Sequence, residues 1–224
     1  MKYKATIARM YDKHPAEYFT NSWDNMLAFS RRYILKPDED FFLTKATVSW
    51  HESGRNEIVS KARGDWTLML DTDHMFAPDI LDRLLFLKNK YNCKVISGLY
   101  QYKFPPHNPV MNLWGENNSV ISILDWDRNA DILEVGSIGG GCLLVDNDVY
   151  QAIINKYNTM PFSIMPGLSE DYSFCLRCKE IGVKVHVAPK VQCHHVIETP
   201  LSIDDYRPNL PMNIKAENGI ICQN

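Results

Sequence analysis

Five consecutive residues, Trp66–Leu70, limit the possible folds more than any other part of the chain. The run lies between two aspartates, and Thr67 is its one polar member. A strand with one face in water alternates polar and apolar residues, so this run indicates a strand buried on both faces. Pro78 and Asp79 then open an amphipathic helix. A buried strand followed at once by such a helix predicts an α/β sheet covered by helices.

The rest of the chain repeats this alternation, which predicts a mainly parallel central sheet flanked by helices. Strands are predicted at residues 4–10, 41–50, 66–70, 92–100, 142–145 and 183–188. Helices are predicted at residues 16–29, 54–63, 80–87, 148–157 and 169–181. The 224 residues suffice for one domain, which we expect to span residues 1–198. Residues 199–224 are expected to form a tail that wraps on this domain or is mobile.

Charge and hydropathy exclude several classes of protein. Lys and Arg number 24 against 27 for Asp and Glu, so no basic excess indicates a nucleic-acid surface. No apolar run approaches the roughly 18 residues of a transmembrane helix, and the N-terminal segment lacks the apolar core of a secretory signal. The six cysteines are too few and too scattered for a disulfide scaffold. These observations predict a soluble, cytoplasmic protein with free thiols.

Asp71 and Asp73 follow the buried strand and precede the amphipathic helix. In open α/β sheets, ligands bind at the carboxyl ends of strands. Two carboxylates at this spacing suit Mg²⁺ or Mn²⁺, with phosphate oxygens completing the coordination. The same residues are also suited to capping the following helix. The spacing by itself leaves a metal site and a helix cap both open.

Two further groups of ionisable residues stand at the ends of predicted elements. His194 and His195 follow the predicted final strand, where a neutral imidazole is a suitable ligand for Mn²⁺. The same positions are compatible with solvated or hydrogen-bonded histidines. Glu170 and Asp171 open the helix that Ser169 is expected to cap, and the helix dipole favours their ionised form. An ionised carboxylate in a cleft can act as a general base, with plain helix capping as the alternative.

The glycines at 139–141 and the cysteines are less specific signals. The glycines permit a close backbone approach or a positive φ, but they form neither a phosphate-binding loop nor a dinucleotide fingerprint. Cys175, Cys178 and Cys193 could combine with a neighbouring histidine in a zinc set. Cys175 and Cys178 lie inside a helical pattern, whereas zinc-binding pairs occupy turns, which argues against zinc.

Four motifs, in this order, resemble those of GT-A fold glycosyltransferases of the broad family 2 type. They are the strand with Asp-Thr-Asp-His (68–74), the Ser-Gly-Leu-Tyr-Gln-Tyr-Lys segment (97–103), the glycine run with the strand after it (139–150), and the segment from Ser-Glu-Asp to His-His-Val (169–196). The resemblance extends from about Tyr3 to His195. It implies a Rossmann-like GT-A catalytic domain that moves a sugar from a nucleotide-sugar, typically UDP-linked, to an acceptor hydroxyl. It also implies a divalent ion, Mn²⁺ or Mg²⁺.

The resemblance implies a role for each matching residue. Asp73 and Asp71 would bind the metal, with Asp71 nearer the ribose and phosphates, and His195, or His194 as the alternative, would complete the metal site. Asp171, beside Glu170, would be the catalytic base of an inverting hexosyltransferase. The residues that would hold the nucleotide-sugar are Arg9, Arg55, Asn56, Asp71, Thr72, Gly140 and Gly141.

Two other activities stay open from the sequence. A nucleotidyltransferase of related topology would carry a glycine-rich basic signature after the first strand, whereas Arg9 and Lys13 stand here without a glycine. A non-catalytic nucleotide- or sugar-binding module would keep the fold without turnover, and the joint presence of the carboxylates and His195 argues against it. The sequence does not indicate whether the acceptor is a carbohydrate, a protein or a small molecule.

Overall fold

Strands and helices alternate over most of residues 2–99, as the sequence predicts, whereas residues 111–146 contain five strands with no α-helix between them. The computed structural model describes residues 2–10 and 14–197, together with the backbone of residues 214–217 and 220–223. The strands are β1 (Lys2–Arg9), β2 (Glu39–Lys45), β3 (Trp66–Leu70), β4 (His74–Phe76), β5 (Val95–Leu99), β6 (Met111–Trp114), β7 (Val120–Ser122), β8 (Leu133–Val135), β9 (Ser137–Ile138), β10 (Cys142–Asp146), β11 (Val185–His195), β12 (Ile214–Glu217) and β13 (Ile220–Gln223). The helices are α1 (Glu17–Tyr33), α2 (His51–Lys61), α3 (Ile80–Lys90), α4 (Asn147–Tyr157) and α5 (Glu170–Glu180).

The main sheet has the strand order β2-β1-β3-β10-β5-β11-β4, with β8 paired to β11. β1 is parallel to β2 and β3, and β5 is parallel to β11. β10 runs antiparallel between β3 and β5, and β4 and β8 run antiparallel to β11. Five of the eight strands described in this sheet therefore share one direction, which confirms the predicted mainly parallel sheet.

The reversed direction of β10 brings its beginning to the carboxyl end of β3. Cys142, the first residue of β10, pairs with Leu70, the last residue of β3. The backbone N–H of Asp71 then donates to the carbonyl oxygen of Gly141 at 3.0 Å. The glycine run therefore lies beside the aspartates at the sheet edge where ligands bind in open α/β folds. The sequence shows both segments but not this antiparallel pairing.

Alternate residues of the central strands pack on opposite faces of the sheet and form two cores. Leu68 belongs to a cluster with side chains of α1 and α3, such as Phe19. Its neighbour Met69 belongs to a cluster with side chains of α2, α4 and α5, such as Ile58. All residues of β3 are buried, as predicted, and each large apolar side chain buried in this way contributes about 1.5–3 kcal/mol. Both cores thus hold β3 rigidly beneath the residues that follow it.

Several predicted boundaries differ from the observed ones, and one strand was not predicted. Residues 39 and 40, which precede the strand predicted at 41–50, begin β2 because they pair with β1. β4 was not predicted, and it forms by pairing with the end of β11, with His195 opposite His74. β11 continues past the predicted end at residue 188, through a register shift between Ala188 and Gln192. The two histidines predicted to follow the last strand are therefore its final residues.

Most of the predicted tail, residues 199–224, lies outside the described residues. Its described backbone consists of β12 and β13, which pair antiparallel. Across residues 2–10 and 14–197, no helix combines the length and the apolar character needed to cross a bilayer.

Candidate functional site

The guanidinium of Arg55, on α2, connects three segments at the carboxyl edge of the sheet. The side chain is only 2% exposed. It donates to both carboxylate oxygens of Asp71 at 3.1 and 3.2 Å, to Oε1 of Glu170 at 3.2 Å and to the carbonyl oxygen of Gly140 at 2.8 Å. Burial opposes the charged form, yet Asp71 and Glu170 raise the pKa of Arg55 above its usual value. The guanidinium therefore stays charged and holds two carboxylates in place.

The glycines at 139–141 serve close packing rather than an unusual backbone conformation, since none of them has a positive φ. A Cβ on Gly140 would lie 2.3 Å from Cζ of Arg55, and a Cβ on Gly141 would lie 2.6 Å from Cε1 of His74. The backbone N–H of Gly141 also donates to the hydroxyl of Tyr100 at 2.9 Å. Of the two explanations open from the sequence, the structure supports close approach, and the neighbours approached are protein side chains.

Asp73, His74 and His195 bring three possible metal-binding atoms together within 4.8 Å of one another. Nδ1 of His74 lies 2.9 Å from Oδ1 of Asp73, and Nε2 of His195 lies 3.7 Å from the same oxygen. The two imidazole rings are tilted by 32° with their centroids 4.1 Å apart. The pairing of β4 with β11 produces this group, because it sets His195 opposite His74.

Hydrogen bonds fix which ring nitrogen of each histidine is free to bind a ligand. Nδ1 of His195 lies 2.6 Å from the carbonyl oxygen of Gln101, which can only accept, so Nδ1 carries the proton and Nε2 keeps its lone pair. The carboxylate of Asp73 imposes the same arrangement on His74, whose buried Nε2 has no hydrogen-bond partner among the described residues. Burial and the neighbouring His74 lower the pKa of His195, which favours the neutral, ligand-competent imidazole.

Lys103 pairs with the same aspartate. Its Nζ lies 2.5 Å from Oδ2 of Asp73. Burial would raise the pKa of Asp73, but hydrogen bonds from His74 and Lys103 hold it well below its usual range. Lys103, Asp73 and Thr72 line a shallow cleft of about 440 Å³ at this edge. The cleft thus combines one carboxylate with the lysine that pairs with it.

Glu170 and Asp171, at the start of α5, have different partners. Glu170 is held by Arg55, as described above. Oδ1 of Asp171 accepts from the hydroxyl of Ser169 and from the backbone N–H of Tyr172 at 2.8 Å. Burial, and then the adjacent Glu170, raise the pKa of Asp171. Ser169 occupies the N-cap position, but its side chain makes no cap hydrogen bond to the backbone, contrary to the expectation from the sequence.

The remaining predicted residues lie at different distances from this site. Arg9 is the last residue of β1 and half-buried at the same edge. Oδ1 of Asn56 accepts from the backbone N–H of Phe162 at 2.9 Å, so that amide fixes a loop. Asp71 bonds to Arg55 and is not part of the Asp73 group. His194 is exposed and also lies outside that group, which favours His195 as the candidate ligand.

The cysteines do not form a metal site in the described part of the chain. Cys175 and Cys178 are buried in one core and Cys193 in the other, on opposite faces of the sheet. These three, together with Cys93 and Cys142, are free thiols, as predicted. Cys222 lies outside the residues whose side chains are described. The zinc alternative therefore has no support from the geometry.

Sequence reasoning assigned no role to three residues that the structure places in the site. His74 directly follows the predicted Asp-Thr-Asp, so its position was a usable signal. Lys103 and Tyr100 stand in the loop after β5, and nothing in their spacing shows that they reach Asp73 and Gly141. Their placement depends on the strand order, in which β5 is separated from β3 by the later strand β10.

Comparison with known proteins identifies a family and two related folds. A family model described as "Glycosyltransferase like family 2" matches residues 47–208, more than half of the chain. No protein of curated function matches the sequence. Among solved structures, A197 from STIV aligns over 88% of this chain and 87% of its own, with 13% identity and a TM-score of 0.54. GalNAc-T7, solved with UDP, GalNAc and Mn²⁺, aligns over 94% of this chain and 45% of its own, with 9% identity and a TM-score of 0.62. At these identities the two similarities show the fold alone.

Proposed function

This chain belongs to the glycosyltransferase like family 2, and from that premise we propose that it transfers a hexosyl group from a UDP-sugar to an acceptor hydroxyl, with a divalent ion bound. Family membership and the GT-A fold support glycosyl transfer as the activity. The structure of GalNAc-T7 that aligns with this chain contains UDP and Mn²⁺, which favours the same donor class here. The alignment covers 45% of that protein, so its whole activity is not carried over to this chain.

The observation that carries the proposal is the position of two chemically distinct groups at one sheet edge. The Asp73, His74 and His195 group lies after β3 and at the end of β11. The Arg55 network lies beside it and holds Asp71 and Glu170 next to Asp171. A donor-binding group beside a partly buried carboxylate is the arrangement that transfer to a hydroxyl requires.

The residues of the first group fit a divalent ion. They supply one carboxylate and two imidazoles, a set that suits Mn²⁺ better than Mg²⁺. The buried Nε2 of His74 has no partner within the described residues, and a Cβ at Gly141 would lie 3.0 Å from it. We assign Asp73, His195 and His74 to the ion and leave Asp71 to Arg55 and the nucleotide. When bound, the ion offsets the negative charge on the departing diphosphate.

Asp171 is the proposed catalytic base. Its Oδ1 is occupied by Ser169 and Tyr172, so Oδ2 is the oxygen that would accept the acceptor's proton. As the acceptor oxygen bonds to the anomeric carbon, the bond from that carbon to the diphosphate breaks and the electron pair leaves with the diphosphate. The raised pKa of Asp171 makes it a stronger base once it is ionised. Attack from the side opposite the diphosphate inverts the anomeric centre.

The proposal assigns the donor to the cleft lined by Thr72, Asp73 and Lys103. Lys103 and Arg9 would face the diphosphate, and the glycines at 140 and 141 would lie beside the donor sugar. The catalytic domain would comprise residues 1–198. These assignments rest on the placement of the side chains at one edge, next to the proposed ion.

Substitution of Asp171 tests the proposal because it should remove turnover of UDP-hexoses without removing UDP binding. We expect Asp171→Asn to bind UDP with Mn²⁺ as the unmodified chain does, while UDP release from UDP-hexoses falls by about 10²–10⁴-fold through loss of the base. Asp148→Asn, an exposed carboxylate on α4, is the matched control and should keep full turnover. Undiminished turnover in Asp171→Asn would rule out the base assignment. UDP binding without release of UDP from any UDP-hexose would instead favour a non-catalytic binding module.

A further inference from the structure

A second cleft, of about 550 Å³, lies at the carboxyl ends of β5 and β11 on the other side of His195. Three aromatic side chains, Tyr100, Tyr102 and Trp126, are among its lining residues. The proposed donor cleft contains none of these residues. Aromatic walls of this kind pack against the apolar faces of flat or ring-shaped ligands. Its shape and chemistry therefore suit a ligand of the size of a sugar.

The charge of this cleft differs from that of the whole chain. The protein has a net charge of −3, yet no Asp or Glu stands among the described residues that line the cleft. The cationic side chains among its lining residues are Arg128 and Lys190. A concave surface with cations and no carboxylate concentrates a positive potential and attracts anions.

Arg128 is the cation most available to a ligand. Its Cζ lies 3.4 Å from the centroid of the Trp126 ring, a stacked arrangement that leaves the N–H groups at the guanidinium edge free. Across the described residues it forms no ion pair with a carboxylate. Lys190, by contrast, lies 3.3 Å from Asp131, which also pairs with Lys90. Arg128 thus presents a positioned guanidinium on an aromatic surface, the combination that binds carboxylate and phosphate groups well.

The position of the cleft separates it from the donor and connects it to the catalytic carboxylate. The proposed donor cleft is lined mostly by residues that follow β1 and β3, whereas this cleft lies at β5 and β11, and Ile197 lines both. His195 belongs both to the proposed metal group and to the cleft lining. The hydroxyl of Tyr102 contacts that of Tyr172, the residue after Asp171. A ligand in this cleft would approach the reaction site from the acceptor side.

We propose that this cleft binds the acceptor and that the acceptor is a sugar bearing an anionic group, a carboxylate or a phosphate, which Arg128 recognises. The identification of this ligand as the acceptor rests on the proposed function. Binding of an anionic sugar to the cleft is a separate property. Tyr102 packs against the sugar ring, Trp126 holds Arg128 in place, and Arg128 donates to the anionic group. Lys190 contributes charge at the rim.

The test is a titration followed through the indole N–H signal of Trp126 in ¹⁵N-labelled protein. The chain has five tryptophans, so the signal is assigned by its loss in Trp126→Phe. The probes are glucuronate, glucose 6-phosphate, methyl glucoside and inorganic phosphate. We expect both anionic sugars to shift the Trp126 signal and to bind at least about tenfold more tightly than methyl glucoside, because a hydrogen bond to a charged group contributes more than a neutral one.

Arg128→Gln should weaken binding of the anionic sugars by about tenfold and leave methyl glucoside binding unchanged. Arg32→Gln is the matched control, since Arg32 also lies over an aromatic ring, 5.5 Å from the centroid of Tyr33, at the last turn of α1. Equal binding of charged and neutral sugars, an unmoved Trp126 signal, or full affinity in Arg128→Gln would overturn the proposal. Inorganic phosphate distinguishes recognition of the anion alone from recognition of the anionic sugar.

The same variants separate this inference from the proposed function. UDP affinity in the presence of Mn²⁺ should be unchanged in Arg128→Gln, and a loss there would assign the cleft to the donor and overturn the inference. Binding of anionic sugars at Trp126 without any UDP binding would instead keep the cleft as an anionic-sugar site and refute the donor assignment.

Discussion

At the scale of single residues, the site depends on Arg55 more than on any of the carboxylates it holds. The partners of Arg55 come from three segments: the turn after β3, the glycine run before β10, and the start of α5. A lysine in its place could not reach all of them, because its single ammonium lacks the planar fork of the guanidinium. Close approach of Gly140 is part of the same arrangement, since any side chain there would meet Arg55.

Removal of Arg55 should therefore destabilise the whole protein. We expect Arg55→Met to lower the free energy of unfolding by about 3–5 kcal/mol, because Asp71 and Glu170 would remain largely buried without a cation. Urea unfolding measures the change, and Arg32→Met, at an exposed position, serves as the control. A loss below about 1 kcal/mol would show that the carboxylates do not depend on the guanidinium.

Lys103 competes with any cation that binds Asp73. We expect Lys103→Met to bind Mn²⁺ alone more tightly by up to about fivefold, since a partly exposed ion pair contributes at most about 1 kcal/mol. UDP affinity with Mn²⁺ present should fall in the same variant, because the lysine would otherwise pair with the diphosphate. Calorimetry with Mn²⁺ and then UDP measures both, with Lys184→Met, an exposed lysine paired to Glu134, as the control. Unchanged or weaker Mn²⁺ binding would contradict this account.

At the scale of elements, the sequence predicts the strands and helices whose structure is determined by their own residues. β3 and α3 follow from a continuous apolar run and a helical period, and both are found where predicted. β4 is only three residues long and exists because β11 pairs with it, so no local pattern reveals it. The site follows the same division. The positions of Asp73, His74 and Asp171 at element ends follow from the sequence, whereas the approach of His195 to His74 and the Arg55 network required the strand pairing.

Ser169, at the start of α5, is expected to affect the pKa of Asp171 more than the stability of the helix. The hydroxyl of Ser169 donates to Asp171 and not to the helix backbone. Ser169→Ala should therefore change the free energy of unfolding by less than about 0.5 kcal/mol, while it removes a donor that lowers the pKa of Asp171. Turnover requires ionised Asp171, so the rise of kcat/KM with pH should move to higher pH.

A pH profile of UDP release checks this shift, with Ser60→Ala on α2 as the control. An acid limb that stays in place or moves to lower pH would contradict the base assignment. A larger loss of stability, of about 1 kcal/mol, would show that Ser169 caps the helix in solution.

At the scale of the whole molecule, the sheet divides the proposed reaction between its two halves. β1 and β3 carry Arg9 and Asp71 on the donor side, and β5 and β11 carry the aromatic cleft on the other. The antiparallel strand β10 lies between them and places the glycines at their junction. The Asp73, His74 and His195 group stands where the two halves meet, because β4 follows the turn after β3 yet pairs with β11. In the proposed function, this group holds the ion required for nucleotide binding.

Calorimetric titration of UDP, GDP and CDP, with and without Mn²⁺, tests whether nucleotide binding requires an ion held by the Asp73, His74 and His195 group. The account predicts that UDP binds in the presence of Mn²⁺, that binding falls sharply without the ion, and that Asp73→Asn abolishes the dependence on Mn²⁺. Asp148→Asn should bind as the unmodified chain does. Absence of binding by all three nucleotides with Mn²⁺ present, or equal UDP affinity in Asp73→Asn, would contradict the account.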